Sequence, residues 1–228
     1  MSRHLIRQGI TAAMPVVLGY LPLGFAFGVL ARGAGLSVTH VLVMSLLVYA
    51  GSAQFISVGL LAAGVGGWSI VITTFLVNLR HLLMSASLVP YLKHIPVPRL
   101  AALSYELTDE SYAVAMGHFS KHEPEEKFLW GLFPACQLGW ILSTMLGAWV
   151  GNLIPHPEAF GLDYALAAMF ICLLVFQLKD KVTYLTALLA GTLGLGIYIW
   201  MPGRWNIIIA TILAATVGVG VEQWKKST

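Results

Sequence analysis

Long apolar runs separated by short polar turns constrain this chain more than any other feature of its sequence. A helix needs about 20 predominantly apolar residues to cross a bilayer. Seven runs qualify, at approximately residues 10–31, 39–63, 68–91, 128–151, 163–178, 182–200 and 205–222. Tryptophan and tyrosine mark many of their ends, as expected for rings that prefer the membrane interface. The sequence therefore predicts an all-α polytopic membrane protein.

The composition excludes other classes of protein. The chain is 58% hydrophobic and 10% charged, whereas a soluble domain carries roughly 25% charged residues. The net charge of +3 is spread over loop ends, while nucleic-acid binding requires a concentrated basic face. The two cysteines, Cys136 and Cys172, lie inside apolar runs and form no disulfide framework. We expect residues 1–228 to form a single transmembrane domain.

A shorter segment, residues 98–119, contains three carboxylates and decides the topology. It either crosses the membrane, which gives about eight transmembrane segments, or re-enters, which gives seven. Both arrangements place an excess of lysine and arginine inside, and both place the C-terminus in the cytoplasm. The side on which the N-terminus lies stays open.

A weak internal repeat favours eight segments. Gly24–Val29 resembles Ser111–Met116, and Ala53–Phe55 resembles Cys136–Leu138 at a similar distance downstream. If residues 98–119 cross the bilayer, residues 9–91 and 99–178 form a three-plus-three inverted repeat, followed by extra helices over 182–222. Many transporters are built from such repeats.

Interrupted segments at corresponding positions of two repeats often indicate a transporter binding site. The first candidate is Gly19–Gly24, where Pro22 removes a backbone donor beside Tyr20. The second is Ser104–Ser111, a polar stretch. We predict that unwound backbone at these places binds the charged ends of a small solute. The alternative is a proline kink and an ordinary polar loop.

Arg80 lies near the centre of the run 68–91, where an arginine costs about 2.5–3.5 kcal/mol on the insertion scale. It therefore needs a partner or a function. Glu106, Asp109 and Glu110 share one helix face at positions i, i+3 and i+4. We predict an ion pair between Arg80 and Asp109 or Glu110, and proton coupling through these carboxylates. The alternatives are a snorkelling arginine and solvated acids at a helix end.

A polar stripe follows the same run. Thr74, Asn78, His81 and Ser85 recur at helical spacing on one face, which is typical of a cavity wall. Asn78 and His81 are therefore candidate substrate-binding residues. A lone buried histidine is also commonly a hydrogen-bonded structural group.

In the run 39–63, small residues stand beside hydrogen-bonding side chains. Tyr49, Ser52 and Gln54 are candidate substrate contacts, since they place polar groups inside the membrane. The Gln54 amide in particular must be satisfied by protein, substrate or water. Helix packing alone explains the small residues. His118 and His122 have metal-ligand spacing, but they have no second pair of ligands, so a solvated loop is favoured. We expect neither a metal nor a cofactor.

Three motifs occur in order: Tyr49–Phe55, Asn78–His81 and Leu107–Glu110. With them, nearly the whole chain resembles the AzlC family, the large subunits of branched-chain amino-acid exporters. This resemblance implies a bacterial or archaeal inner-membrane permease that exports valine, leucine, isoleucine and sometimes methionine. It also implies a small hydrophobic partner subunit of the AzlD type and proton-driven transport.

Two other functions stay open at this point. The chain could export another small amphipathic metabolite, or it could be an assembly protein of the membrane without transport activity. An intramembrane enzyme requires a nucleophile with a base, or paired metal ligands, on facing helices. The apolar runs show no such pattern, and an enzyme is therefore disfavoured.

Overall fold

The computed structural model of the chain describes residues 2–154, 156–178, 180–200, 209–210 and 213–221. It separates into two compact units, Met1–Leu166 and Ala167–Thr228. Throughout the described ranges the secondary structure is helical, without strands. Nine α-helices occur between Ser2 and Trp200, namely α1 (Ser2–Gly33), α2 (Val38–Val43), α3 (Gly51–Ala62), α4 (Gly67–Leu92), α5 (Val97–Tyr105), α6 (Asp109–Phe119), α7 (Glu126–Val150), α8 (Ala165–Gln177) and α9 (Lys181–Trp200).

Four stretches in the described part of the chain are long and apolar enough to cross a membrane. They are Arg3–Gly33, Gly67–Leu92, Glu126–Leu153 and Lys181–Trp200. Each corresponds to one of the predicted spans. The chain is therefore an all-α, multi-pass membrane protein. The total number of spans and the inverted repeat stay predictions.

The packing of α1 on α7 organises the first unit. At Gly28, an added Cβ would collide with the backbone of Thr144 and Ala148, and one at Gly147 would collide with the backbone of Phe25. Small residues at such positions let two helix backbones approach closely. Phe27 completes this core and is fully buried.

The predicted interruption at Pro22 is wrong. Helix α1 runs from Ser2 to Gly33 through both Pro15 and Pro22, and the Pro22 side chain is exposed. A proline removes only one helical hydrogen bond, and membrane helices tolerate it where packing holds the helix. The close contact with α7 supplies that packing here.

The predicted span 39–63 is not a single helix, an interruption that the apolar run did not indicate. After α2 the chain forms a π-helical turn, Met44–Val48, and then breaks at Tyr49. Tyr49 has a left-handed backbone conformation with φ 40°, which costs a non-glycine residue about 1–2 kcal/mol. Helix α3 then begins at Gly51. We call Tyr49 and Ala50 the first break.

Residues 98–119 form two short helices. Helix α5 ends at Tyr105 and α6 begins at Asp109, so the predicted interruption of the segment Ser104–Ser111 is present. Thr108 caps α6, because its side chain accepts a hydrogen bond from the Ser111 backbone, and the Ser111 side chain bonds the Thr108 backbone in return. We call Glu106, Leu107 and Thr108 the second break.

In the C-terminal part of the chain, α8 covers 13 residues of the predicted span 163–178, and α9 matches the predicted span 182–200. Residues 213–221 are helical. The remainder of the predicted span 205–222 lies outside the described residues, apart from 209–210.

Candidate functional site

Arg80 connects three helices. Its Nη1 lies 2.7 Å from Oδ2 of Asp109, and its Nη2 donates a hydrogen bond of 2.6 Å to Oγ of Ser52. Arg80 belongs to the middle of α4, Ser52 to the first turn of α3 and Asp109 to the first turn of α6. The predicted ion pair is therefore present, with Asp109 rather than Glu110 as the partner.

Glu110 faces a different neighbour. Its Oε2 accepts a hydrogen bond of 2.9 Å from the Tyr20 hydroxyl, and the same hydroxyl lies 2.8 Å from Oγ1 of Thr108. Tyr20 is 4% exposed and belongs to α1. Because Asp109 and Glu110 occupy the first turn of α6, the helix dipole stabilises their negative charges. Two adjacent carboxylates thus have separate partners.

Tyr105, the last residue of α5, contacts the π-helical turn that precedes the first break. The Tyr105 hydroxyl donates a hydrogen bond to the carbonyl oxygen of Leu46, inside the π-helical turn. A carbonyl at a helix break would otherwise lack a partner. This contact joins the end of α5 to the segment that leads into the first break.

Gln54 is buried in a closed hydrogen-bond network. Its Nε2 donates to Oγ of Ser45 over 3.2 Å, and its Oε1 accepts from Nε1 of Trp140 over 2.9 Å. Ser45 in turn lies 2.9 Å from Oγ1 of Thr144. Of the three kinds of partner predicted for this amide, namely protein, substrate or water, protein groups bind both of its ends. Trp140, which sequence reasoning did not single out, also packs edge-on against Tyr20 at 5.2 Å between ring centroids.

Four buried side-chain polar atoms have no hydrogen-bond partner among the described residues. They are the Tyr49 hydroxyl, Oδ1 of Asn78, Nε of Arg80 and Oε2 of Glu106. Such atoms are costly in a low-dielectric interior, and each unpaired group deserves an explanation. Two of the four belong to the breaks and the other two to the polar part of α4.

The polar stripe on α4 is satisfied partly by its own helix. Thr74 donates to the carbonyl of Ile70 over 2.9 Å, and Nδ1 of His81 lies 3.1 Å from the carbonyl oxygen of Asn78. Both side chains are half-buried. The Asn78 side chain is the member of this stripe with an unpaired acceptor.

The predicted site residues thus fall into distinct groups. Ser52, Arg80 and Asp109 form one three-residue contact, and Tyr20 and Glu110 form a hydrogen-bonded pair beside it. Tyr49, Asn78 and Glu106 carry unpaired buried atoms. Gln54 belongs to the neighbouring closed network, His81 bonds to its own helix, and Pro22 is exposed.

Comparisons with known proteins assign this sequence to a family. A family profile described as AzlC protein matches residues 15–154, a range that includes both breaks and the ion pair. No solved structure matches the chain.

Several relatives align over most of their length. An uncharacterized membrane protein of Archaeoglobus fulgidus is 32% identical over 78% of both chains. The inner membrane protein YgaZ of Escherichia coli is 28% identical over 84% of this chain and 81% of its own. The branched-chain amino acid transport protein AzlC of Bacillus subtilis is 25% identical over 93% of this chain and 83% of its own. The chain therefore belongs to the AzlC family of membrane proteins.

Proposed function

We propose that this protein is the large subunit of a secondary-active exporter of branched-chain amino acids, and that it has no enzymatic activity. Membership of the AzlC family and the name of the Bacillus subtilis relative support transport of such substrates. Leucine, valine and isoleucine are the expected substrates, with methionine as a further one. The membrane would be the bacterial or archaeal plasma membrane.

The observation that carries this proposal is the meeting of two helix breaks at a polar cluster. Irregular backbone at membrane depth is tolerated where it is buried in protein or lines a cavity, and discontinuous helices form the substrate sites of many transporters. Here the breaks at Tyr49–Ala50 and Glu106–Thr108 are joined through Arg80, Ser52 and Asp109. Unpaired buried atoms at the same breaks supply groups for a polar ligand.

We place the amino acid between these breaks. The N-terminus of α3 has no side-chain cap, so its backbone N–H groups and the free Nε of Arg80 would bind the substrate carboxylate. The apolar substrate side chain would contact Phe55, which is 5% exposed at the start of α3. Asn78 would fix the orientation of the polar end.

We further propose that a proton gradient drives export. Asp109, held by Arg80, and Glu110, held by Tyr20, would act as the proton-sensitive switch of an alternating-access cycle. Protonation of Asp109 would release Arg80, and thereby loosen the contact of α4 with α3 and α6. The C-terminus would lie in the cytoplasm, and a small hydrophobic AzlD-type subunit would complete the permease.

The experiment that tests this function measures uptake of labelled leucine, valine and methionine into inside-out vesicles. The vesicles contain the protein and its small partner, with and without an imposed pH gradient. We expect gradient-dependent accumulation that is lost in the Asp109→Asn, Glu110→Gln double variant. Glu125→Gln, at an exposed position before α7, is the control and should transport normally.

Two results would contradict the proposal. Full transport by the double variant would show that the two carboxylates are not needed for proton coupling. Absence of uptake for all three amino acids would redirect the search to other small amphipathic metabolites.

A further inference from the structure

The two breaks bring a buried tyrosine close to two glutamates. Tyr49 is 3% exposed, and it interacts electrostatically with Glu110 and Glu106. Its hydroxyl neighbours the Tyr20 hydroxyl, but neither it nor Oε2 of Glu106 has a partner with good hydrogen-bond geometry among the described residues. Two unpaired oxygen acceptors therefore lie in one part of the site, on opposite breaks.

Among the described residues, no cationic side chain forms an ion pair with Glu106 or Glu110. The described residues form two ion pairs, Arg80–Asp109 and Arg99–Glu126, and neither includes Glu106 or Glu110. In the described part of the chain the Glu110 carboxylate has only neutral donors, namely the Tyr20 hydroxyl, the Thr108 hydroxyl and its own backbone N–H, and Oε2 of Glu106 has no donor. A carboxylate removed from water needs a cation or several donors to be stable in its charged form.

We propose that Glu106, Tyr49 and Glu110 form a subsite for the primary ammonium group of the substrate. An ammonium group has three N–H donors, and Oε2 of Glu106 and the Tyr49 hydroxyl each offer an unused acceptor. Glu110 adds negative charge beside them, and the ring of Tyr49 offers an aromatic face to the cation. This inference rests on the proposed function, because it assigns one end of the amino acid that the transporter would carry.

The subsite has a consequence for selectivity. A site built to pair a cation rejects an analogue that lacks it, since the buried acceptors then stay unpaired. The transporter should therefore distinguish leucine from α-ketoisocaproate, the oxo acid with the same carboxylate and the same branched side chain. It should still recognise isopentylamine, which keeps the ammonium group and loses the carboxylate.

The test measures equilibrium binding to the protein purified in detergent together with its small partner subunit. Labelled leucine and labelled isopentylamine are each used as direct ligands, and α-ketoisocaproate serves as a competitor. We expect Glu106→Gln to weaken binding of leucine and isopentylamine by about 10- to 100-fold, the usual effect of losing a hydrogen bond to a charged group. Weak competition by α-ketoisocaproate should be unchanged in the variant.

Two further variants separate recognition from damage to the fold. Tyr49→Phe removes only the hydroxyl and should weaken isopentylamine binding less than Glu106→Gln does. Glu125→Gln makes the same chemical change at an exposed position and should leave both ligands unaffected. Each variant is compared by size-exclusion profile, so that a misfolded protein is recognised as such.

The outcomes distinguish this subsite from the proposed function. If leucine binds and Glu106→Gln binds it equally well, or α-ketoisocaproate competes as well as leucine, the subsite is refuted and the transport proposal stands. If leucine does not bind but isopentylamine binds in a Glu106-dependent way, the subsite stands and the transported substrate is another amine. If neither binds the wild type, both proposals are overturned.

Discussion

Neutralising the Arg80–Asp109 ion pair should destabilise the protein in a strongly non-additive way. The two side chains are 31% and 19% exposed, so the ion pair is neither fully exposed nor fully buried. Fully exposed pairs contribute up to about 1 kcal/mol, and removal of one partner from a buried pair costs about 3–5 kcal/mol. We therefore expect Arg80→Gln or Asp109→Asn to lower the free energy of unfolding by about 2 kcal/mol each.

The double variant should lose little more than either single variant, because no unpaired charge is left. The coupling free energy is then about 2 kcal/mol, or about 30-fold in the unfolding equilibrium constant. The assay is reversible denaturation of the purified protein in mixed detergent micelles, followed by circular dichroism. Simple addition of the two single effects would refute the ion pair as a stabilising contact.

A second ion pair offers a matched control. Nη1 of Arg99 lies 3.0 Å from Oε2 of Glu126, but the Arg99 side chain is 58% exposed. Arg99→Gln should therefore change the free energy of unfolding by less than about 1 kcal/mol. Added salt should reduce this effect further, since exposed charges are screened.

Three other substitutions test the packing and the corrected helix. Gly147→Leu should prevent accumulation of folded protein, because even a Cβ collides with the α1 backbone, whereas Gly19→Leu meets open space and should be tolerated; fluorescence-detected size exclusion measures both. Trp140→Phe leaves Oε1 of Gln54 without its donor and should cost about 1–3 kcal/mol of unfolding free energy, measured by denaturation. Pro22→Ala should leave the rate of leucine uptake unchanged, because the proline lies on the exposed side of a continuous helix. A large loss of uptake would instead support the predicted interruption of the helix at Pro22.

The apolar runs predicted most helices because membrane crossing imposes length and hydropathy directly on the sequence. The ends of α4 and α7 differ by only a few residues from the predicted spans. The partner of Arg80 was also predictable, since a buried guanidinium needs an anion and the nearby carboxylates are few. These inferences depend on the membrane as solvent more than on details of packing.

The helix breaks were harder to predict because proline and glycine are ambiguous in membrane helices. Pro22 suggested a break, yet tertiary packing keeps α1 continuous. Tyr49 follows an ordinary apolar run, and its left-handed conformation is uncommon for a residue other than glycine. The partners of Gln54, which include Trp140 on α7, are likewise long-range and leave no local pattern. Gly51, directly after the break, is the one local signal.

Substrate protection of single cysteines tests most directly whether the two breaks form the transport site. In a chain with Cys136 and Cys172 replaced by alanine, Ala50→Cys and Leu107→Cys would report on the two breaks. The measurement is the rate of labelling by a small maleimide with and without leucine, in membranes that also contain the partner subunit. We predict that leucine slows labelling at both positions and leaves Ala62→Cys, at the exposed end of α3, unaffected. Equal labelling rates with and without leucine at both breaks, in a protein that transports leucine, would contradict this account.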